Sequence, residues 1–549
     1  MILSIRGRKN FGVFPSLIPK IIPITLNICA CERAGRHCDL SAVAFEAVSQ
    51  LRFKVDTVFS SICYDVDTKT KGFHMAYRYG ERTQRILFPQ SIDEYIPQDA
   101  PVRAYDAIVD KMDLQSMGFE IEPDKVGCPQ YDPKIMLKLL VYGYSYGVRS
   151  SRKLERECHY NLSFIWLTAG LKPDHKTIAR FRRENKNALQ KVIKQCAGIC
   201  VELDLLDGNI FFIDGSKMRA NASIDRTLTK EKALKTLKHI DRRISSLLSE
   251  CEQIDSEESV QGSLVHMQQD LKDSRLLKDK IESALKCIEQ QQGHSHNMTD
   301  KDCVMIHSRQ GSHSGYNSQI AVDDKNGLIV NSDVVNENND LKQFSVQVKQ
   351  ANEVLSKPCK EACADAGYSN AQELEKIDKQ GIKVIVPSKQ QAGKNEPGPF
   401  ERSAFEYVTQ DDVYICPAGQ MLPYRWNNAK RGRREYVADI RICKSCEHFG
   451  LCTTSRKNGR RIIRNNNERF RDRMREQYAE ADSQEVYARR KQKAELPFGH
   501  IKHNLKVGSF LLRGLAGVKA EMSILSSCFN IARIITIIGV SELMARLAG

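Results

Sequence analysis

The sequence predicts an α/β chain: a set of strands preceded by a helical region and interrupted by an inserted helical hairpin. Three observations predict it. The run Ile210-Phe211-Phe212-Ile213 is β-branched and aromatic and lies between Gly208 and Gly215, the pattern of a strand buried on both faces. The stretch "SGYNSQIAVDDKNGLIVNSDVV" holds two further strands around the turn residues Asp324 to Gly327, a hairpin signal. Long segments on either side space their apolar residues by three and four, which is the helical period.

At 549 residues and 41% hydrophobic content, the chain is long and apolar enough for several folded domains and is not a disordered protein. Lys and Arg number 83 against 68 Asp and Glu, a net charge of +15 that favours a polyanionic partner, nucleic acid first. Acidic membranes attract the same charge, yet no segment offers about 18 uninterrupted apolar residues. The nearest, "IARIITIIGVSELMARLAG", is interrupted by Arg533 and Glu542 and is expected to be a buried helix. The 18 cysteines are scattered, and Pro19, Lys20 and Pro23 break the early apolar stretch that a signal peptide would need. A reducing cytoplasmic location is expected, with cysteines as core residues or metal ligands.

Residues 1–74 have no sustained period, and "HMAYRYGERTQRILFPQ" begins like an ordinary bacterial N-terminus at Met75. The expectation is a poorly ordered upstream extension over 1–74 and translation starting at or near Met75. Residues 75–205 read as an N-terminal helical domain. "YDPKIMLKLLVYGYSYGV" opens with Pro133 in its first turn and sets Ile135, Leu139 and Tyr142 on one face. "SSRKLERECHYNLSFIWLTAG" and "PDHKTIARFRREN" are two more helices, the second capped by Asp174 and carrying Lys176, Arg180, Arg182 and Arg183. Such a module could bind DNA through Lys176, Arg180 and Arg183; a solvated basic helix in a plain bundle is the alternative.

After the opening strand, residues 229–297 read as an antiparallel helical hairpin. Leu234, Leu237, Ile240, Ile244 and Leu247 form one stripe, and Leu264, Met267, Leu271, Ile281, Leu285 and Ile288 a second, looser one. A structural or oligomeric role fits it. A helix near 340–356 then leads to "KEACADAGYSN", where a short run of small residues ends in Asp365, followed at once by a turn with Gly367.

Asp214 stands in the same situation, placed at the end of its strand and followed by Gly215. A buried ionised carboxylate must be paired, hydrogen-bonded or metal-bound. A turn aspartate capping Gly215 and Ser216 is the plainer reading, and Ser216 and Lys217 read as polar turn residues because no His-Asp pattern accompanies them. The third acidic candidate is Glu495 in "YARRKQKAELPFGHIKHNLK", with Tyr487 and Arg490 before it and Lys502 seven positions, or two helical turns, after it. Pro497 either kinks this helix or begins one. His500 and His503 read as surface or DNA contacts rather than metal ligands.

Together, "FIDGSKMRANAS", "ADAGYSN", "ELPFGHIK" and the downstream "SFLLRGLAGVKAE" resemble the DDE transposases of bacterial insertion sequences, in the IS-eleven-eighty-two group of the broader IS-four-like set. The resemblance runs from about Met75 to near the C-terminus. It implies a ribonuclease-H-like mixed-sheet catalytic core over 206–228, 298–390 and 465–535, with 229–297 and 391–464 as insertions and 536–549 as a closing helix end. It also implies that Asp214, Asp365 and Glu495 are catalytic and hold two Mg²⁺ or Mn²⁺ ions, and that Tyr487, Arg490 and Lys502 contact DNA phosphates. Two divalent ions can clamp the attacking and leaving oxygens of a phosphodiester, and oxygen ligands suit these ions. Four residues rather than three separate Arg490 from Glu495, so Lys491 competes with Arg490 for that place, and Met522 stands where an aromatic residue is common. Asn317 and Gln319 in "GYNSQ" resemble the family's second strand and would support the site.

The second insertion contains Cys416 in "YICPAGQML" and Cys443, Cys446 and Cys452 in "ICKSCEHFGLC". Four thiolates suit a tetrahedral structural Zn²⁺; buried cysteines in a small β-rich module are the alternative. "RWNNAKRGRR" and "SRKNGRRIIRNNNERFRDRMRE" surround them with guanidinium groups suited to phosphate. The expected function is a transposase that binds its element's terminal inverted repeats as double-stranded DNA, cuts the ends and joins them to target DNA, working as a homodimer or larger. A nuclease of the same fold without strand transfer and a decayed copy that only binds DNA are the alternatives.

Overall fold

The computed structural model describes residues 91–548, apart from 122–129, 257–260, 291–294, 309–310, 394–397, 429–431 and 466. The expected upstream extension over 1–74 and the start at Met75 lie outside the described residues.

The first described part is helical: α1 (Pro101–Lys111), α2 (Pro133–Ser145), α3 (Ser151–Tyr160), α4 (Leu162–Leu167), α5 (His175–Glu184) and α6 (Val192–Glu202). Side-chain caps set several of the starts. Asp132 accepts from the Lys134 amide ahead of α2, with Pro133 at its first position, and Asp174 accepts from the Thr177 amide ahead of α5 at 2.6 Å. The expected single helix over "SSRKLERECHYNLSFIWLTAG" is two helices. Asn161 ends α3 in an extended conformation and turns its side chain to the Ser163 amide, capping α4.

A six-stranded mixed sheet follows, built from β1 (Ile210–Arg219), β4 (Val304–Ser308), β5 (Gly311–Asp323), β6 (Ile329–Val335), β7 (Glu361–Ala364) and β8 (Lys383–Ile385), in the order β4-β5-β1-β7-β8, with β6 also on β5. β1 runs antiparallel to β5 and parallel to β7. Strand β1 does not stop at Asp214 as expected; it continues through Ser216 and Lys217 to Arg219. Those two residues are therefore strand residues, kept in the ladder because β5 extends far enough to pair with them at Ser318 and Asn317.

Between β2 (Thr227–Thr229) and β3 (Ser295–Asn297), which pair with each other, stand α7 (Lys230–Ser256) and α8 (Gln261–Gln290). Ala233, Ile240, Ile281 and Ala284 form their shared core, with Leu237, Ile244 and Leu285 packed on it. Leu234, expected on that stripe, is 43% exposed; Ala233, one position earlier, takes the inward place. After the sheet's helices α9 (Phe344–Leu355) and α10 (Ala371–Asp378), a second, antiparallel sheet joins β9 (Glu406–Val408), β10 (Val413–Ile415), β11 (Met421–Asn428), β12 (Arg433–Val437) and β13 (Arg461–Asn465) in the order β13-β12-β11-β10-β9. Its buried apolar core is small, made of Phe405, Tyr414, Leu422, Tyr436, Ala438 and Ile462.

The chain then returns through α11 (Glu468–Ala479), α12 (Ala481–Gly499), α13 (Leu515–Ile538) and α14 (Val540–Ala548). Helix α13 is apolar and long enough to cross a membrane, yet 67% of its most apolar stretch is buried in this protein. Asn530 explains its docking: its side chain donates to the Ile329 carbonyl and accepts from the Ile329 amide, stitching α13 to β6. Residues of α1 to α6, of the mixed sheet and of α13 share one hydrophobic core. In "SFLLRGLAGVKAE", Glu521 is fully buried, accepting from the Leu511 and Leu512 amides and from Arg149, so it holds the turn before α13 to the N-terminal helices.

Candidate active site

The ladder of β1 and β7 ends with Ile213 opposite Ala364, so the next residues on the two parallel strands are Asp214 and Asp365. Asp214 sits mid-strand on its β5 side, paired with Ile320, but at the open end of its β7 side. Asp365 leaves the sheet into a single 3₁₀ turn, Ala366–Tyr368, which it caps by accepting from the Gly367 amide at 2.8 Å.

Helix α12 supplies the third carboxylate and a cation. Arg490 Nη1 lies 3.7 Å from Asp214 Oδ1, and its Nη2 lies 3.9 Å from Glu495 Oε1. Lys491 is exposed, so Arg490 is the residue that reaches the carboxylates. The Arg490 guanidinium also lies 5.6 Å from the Tyr487 ring centre, and Tyr487 packs edge-on against Tyr478. The helix does not begin at Pro497: it runs through to Gly499 and continues as a π-turn, His500–Asn504, in which the Leu505 amide reaches the His500 carbonyl. A proline cannot donate to the preceding turn, yet here it interrupts one bond without ending the helix. Lys502, carried on that π-turn, donates to Ser216 Oγ at 2.5 Å, next to the Asp214 strand position.

The electrostatics follow from this crowding. Burial pushes the Asp214 carboxyl up to about 7; Arg490 opposes the shift, and the Asp365 and Glu495 carboxylates add to it. Burial holds the Lys502 ammonium below its usual value, with Asp214 opposing. The carboxylates thus outnumber the neighbouring cations, and an all-oxygen donor set with excess negative charge fits a hard divalent cation. Among the described residues, no three His, Cys, Asp or Glu side chains are already gathered around one ion position; Arg490 stands between Asp214 and Glu495 instead.

Asp340 was not singled out from sequence. It lies behind the site and receives Lys217, Asn317 and Gln319. No sequence signal marks it, because it lies in a loop and its partners lie on two strands, β1 and β5.

Of the other predicted residues, Lys176, Arg180 and Arg183 form an exposed face of α5 and make no hydrogen bond or ion pair with the three carboxylates. Arg182, which the sequence reading grouped with them, is buried and donates to Tyr144, Ser151 and the Arg149 carbonyl. Cys416, Cys443, Cys446 and Cys452 line a single small cavity with His448 and Phe449. The Gln420 amide donates to Cys416 Sγ at 3.3 Å and the Arg460 amide to Cys443 Sγ at 3.4 Å. Burial raises the Cys452 thiol, and the three other sulfurs push it the same way while Arg460 opposes. His500 stacks edge-on against Phe529 at 5.4 Å, and burial lowers its pKa.

Comparison with protein families matches residues 90–184 to the Transposase domain (DUF772) and residues 415–535 to the Transposase DDE domain. The chain carries two transposase domains, the second of the DDE type. In this transposase, the second match spans Glu495, Tyr487, Arg490, Lys502 and the four cysteines, whereas Asp214 and Asp365 lie outside both matched segments. A solved structure titled "Cryo-EM structure of piggyBac transposase synaptic complex with hairpin DNA" is similar at 8% identity and a TM-score of 0.32, over 82% of this chain and 79% of that one. No curated protein matches the chain.

Proposed function

We propose that this transposase binds the terminal inverted repeats of its own element, cleaves the DNA at the element's ends and joins those ends to target DNA, through a ribonuclease-H-like core. The observation that carries the reading is that Asp214 from β1 and Glu495 from α12 both approach one guanidinium, Arg490, while Asp365 leaves the end of β7 beside Asp214.

Asp214, Asp365 and Glu495 would hold two Mg²⁺ or Mn²⁺ ions, which when bound activate the attacking oxygen and stabilise the leaving one. The chain's own groups supply the rest. Asp214, with a carboxyl near 7, must lose its proton before it can act as a ligand. Arg490 and Lys502 place two positive charges beside the carboxylates, and Tyr487 holds the Arg490 side chain from its other side. These three groups would hold the phosphates flanking the cut, because a fork-shaped guanidinium and an ammonium both suit phosphate oxygens.

The exposed α5 face of Lys176, Arg180 and Arg183 is proposed as a second DNA contact, away from the chemistry. Two ends must be brought together for joining, so a homodimer or larger assembly on DNA is part of the reading. The cavity shared by Cys416, Cys443, Cys446 and Cys452 is proposed as a structural zinc site of the small β-sheet module, whose six-residue core is meagre for a unit of that length.

The test is cleavage and joining of a labelled duplex carrying the element's ends, with Mg²⁺ or Mn²⁺. Wild type should cut and join, while Asp214→Ala, Asp365→Ala and Glu495→Ala should bind the duplex and do neither. A variant that cuts normally removes its residue from the site; cleavage without joined product would replace the reading with a nuclease.

A further inference from the structure

A fourth carboxylate stands behind the three. Asp340, in the loop before α9, accepts from Lys217 Nζ at 3.0 and 3.2 Å, from Asn317 Nδ2 at 2.7 Å and from Gln319 Nε2 at 2.7 Å. Asn317 and Gln319 are fully buried. Lys217 is the cross-strand partner of Asn317, and Gly215 that of Gln319, so these side chains share the sheet face opposite to that of Asp214.

The bonds fix Gln319 completely. Its Nε2 donates to Asp340 and, at 2.9 Å, to Asn317 Oδ1; its Oε1 accepts from the Tyr368 hydroxyl at 2.5 Å. An amide that uses both donor hydrogens and its oxygen in this way has one orientation only. Tyr368 is buried and closes the 3₁₀ turn that Asp365 opens. The line of contact thus runs from Asp340 through Gln319 and Tyr368 to the Asp365 turn, and passes directly over the residue after Asp214. A Cβ on Gly215 would lie 2.5 Å from Gln319 Nε2, 2.8 Å from Tyr368 Oη and 2.9 Å from Asp340 Oδ1, so glycine is what allows the three groups to close over β1.

We propose that Asp340 is a positioning residue of this transposase: through Gln319 and the Tyr368 hydroxyl it sets the Asp365 turn against Asp214, so that the two aspartates can share metal. Lys217 neutralises it, so that its charge does not add to that of the three carboxylates. The inference rests on the proposed role of Asp214 and Asp365 as metal ligands. Partners of this kind, one step behind the ligands, typically alter metal affinity by about 10- to 100-fold when removed.

The experiment is Mn²⁺ binding to the full chain followed by electron paramagnetic resonance, which needs no turnover, on wild type, Asp214→Ala, Tyr368→Phe, Asp340→Asn and the double variant Tyr368→Phe/Asp340→Asn. Tyr368→Phe removes one oxygen and keeps the buried ring, so it guards against a variant that merely unfolds. Each single variant is expected to weaken Mn²⁺ binding about tenfold or more, and the double no further than the weaker single, because both act through Gln319. Wild-type Mn²⁺ affinity in both single variants, or effects that multiply in the double, would overturn the positioning role. Those results with Asp214→Ala still losing Mn²⁺ would leave the carboxylate site standing; Mn²⁺ binding undiminished in Asp214→Ala would remove the site and the inference together.

Discussion

Arg490 lies between Asp214 and Glu495, within 3.7 Å of one carboxylate and 3.9 Å of the other, although the three residues come from a strand and a helix some 280 positions apart in sequence order. The Arg490 and Asp214 side chains are only 12% and 14% exposed, so that pairing is poorly screened by solvent, whereas Glu495 is 52% exposed and its pairing is weaker. Arg490→Ala should leave two close carboxylates without their cation and reduce cleavage at neutral pH by about tenfold or more. Arg490→Lys should recover only part of it, because a single ammonium cannot reach both carboxylates as a fork does. Rates of duplex cleavage at fixed Mg²⁺ check both; full activity in Arg490→Lys would reduce the arginine to a point charge.

The raised Asp214 pKa has two consequences of known sign. Its folded value of about 7 lies above the ordinary 3.8, so in the metal-free protein the folded state binds the extra proton between those values and stability falls as pH rises through that window. Asp214→Asn should therefore raise the unfolding temperature of the metal-free protein at pH 8 by about a few degrees, with the difference shrinking at pH 4. Mn²⁺ affinity should rise through about pH 7 as the proton leaves. Thermal unfolding and Mn²⁺ titration across that range test the pair, and a flat response in both would mean that Asp214 is already ionised.

Gly215→Ala should be costly beyond its single methyl group. The added carbon meets Gln319, Tyr368 and Asp340 at under 3.0 Å, and overpacking of this kind costs about 1–3 kcal/mol. Lower stability together with lost cleavage, while the duplex is still bound, is the expected result. Wild-type cleavage by this variant would show that the network can move aside without disturbing the site.

The α5 face should behave differently from its buried neighbour. Removing Lys176, Arg180 and Arg183 together is expected to weaken DNA binding and to flatten its dependence on salt by about three phosphate contacts, with little change in stability. Arg182→Ala should instead destabilise the fold, because it strips hydrogen bonds from Tyr144 and the Arg149 carbonyl in the interior. Binding measured over a series of salt concentrations and thermal melts separate the two behaviours.

Metal analysis of protein purified without chelator should find about one zinc per chain, lost in Cys446→Ser, if the four thiols act as one tetrahedral site. A zinc-free protein of wild-type stability would make them buried cysteines of the β-sheet module.

Much of the local architecture was legible in sequence for local reasons. The Asp174 cap, Pro133 at the head of α2, and the Asp324 to Gly327 turn between β5 and β6 each act within a few residues, and each stands where its local signal places it. Competing local signals account for two differences: Asn161 divides one expected helix into two, and Ala233, one helical turn before Leu237, takes the inner face in place of Leu234. Arg182 could not be told from Arg180 or Arg183, since all four basic residues of α5 look alike until a neighbouring helix covers one of them.

The candidate site divides in the same way. By itself the sequence determined the residue types and their order: an apolar run leading to Asp214, small residues leading to Asp365, and a helix carrying Tyr487, Arg490 and Glu495. Only the tertiary structure decided that β1 passes through Asp214 rather than ending there, because a strand's length depends on the reach of its partner β5. Only it showed Arg490 rather than Lys491 against the carboxylates, and joined Asp340 to Lys217, Asn317 and Gln319. Spacing along a chain encodes periodicity and turns, whereas contacts across more than 100 residues arise from strand pairing and packing, which no short stretch of the sequence contains.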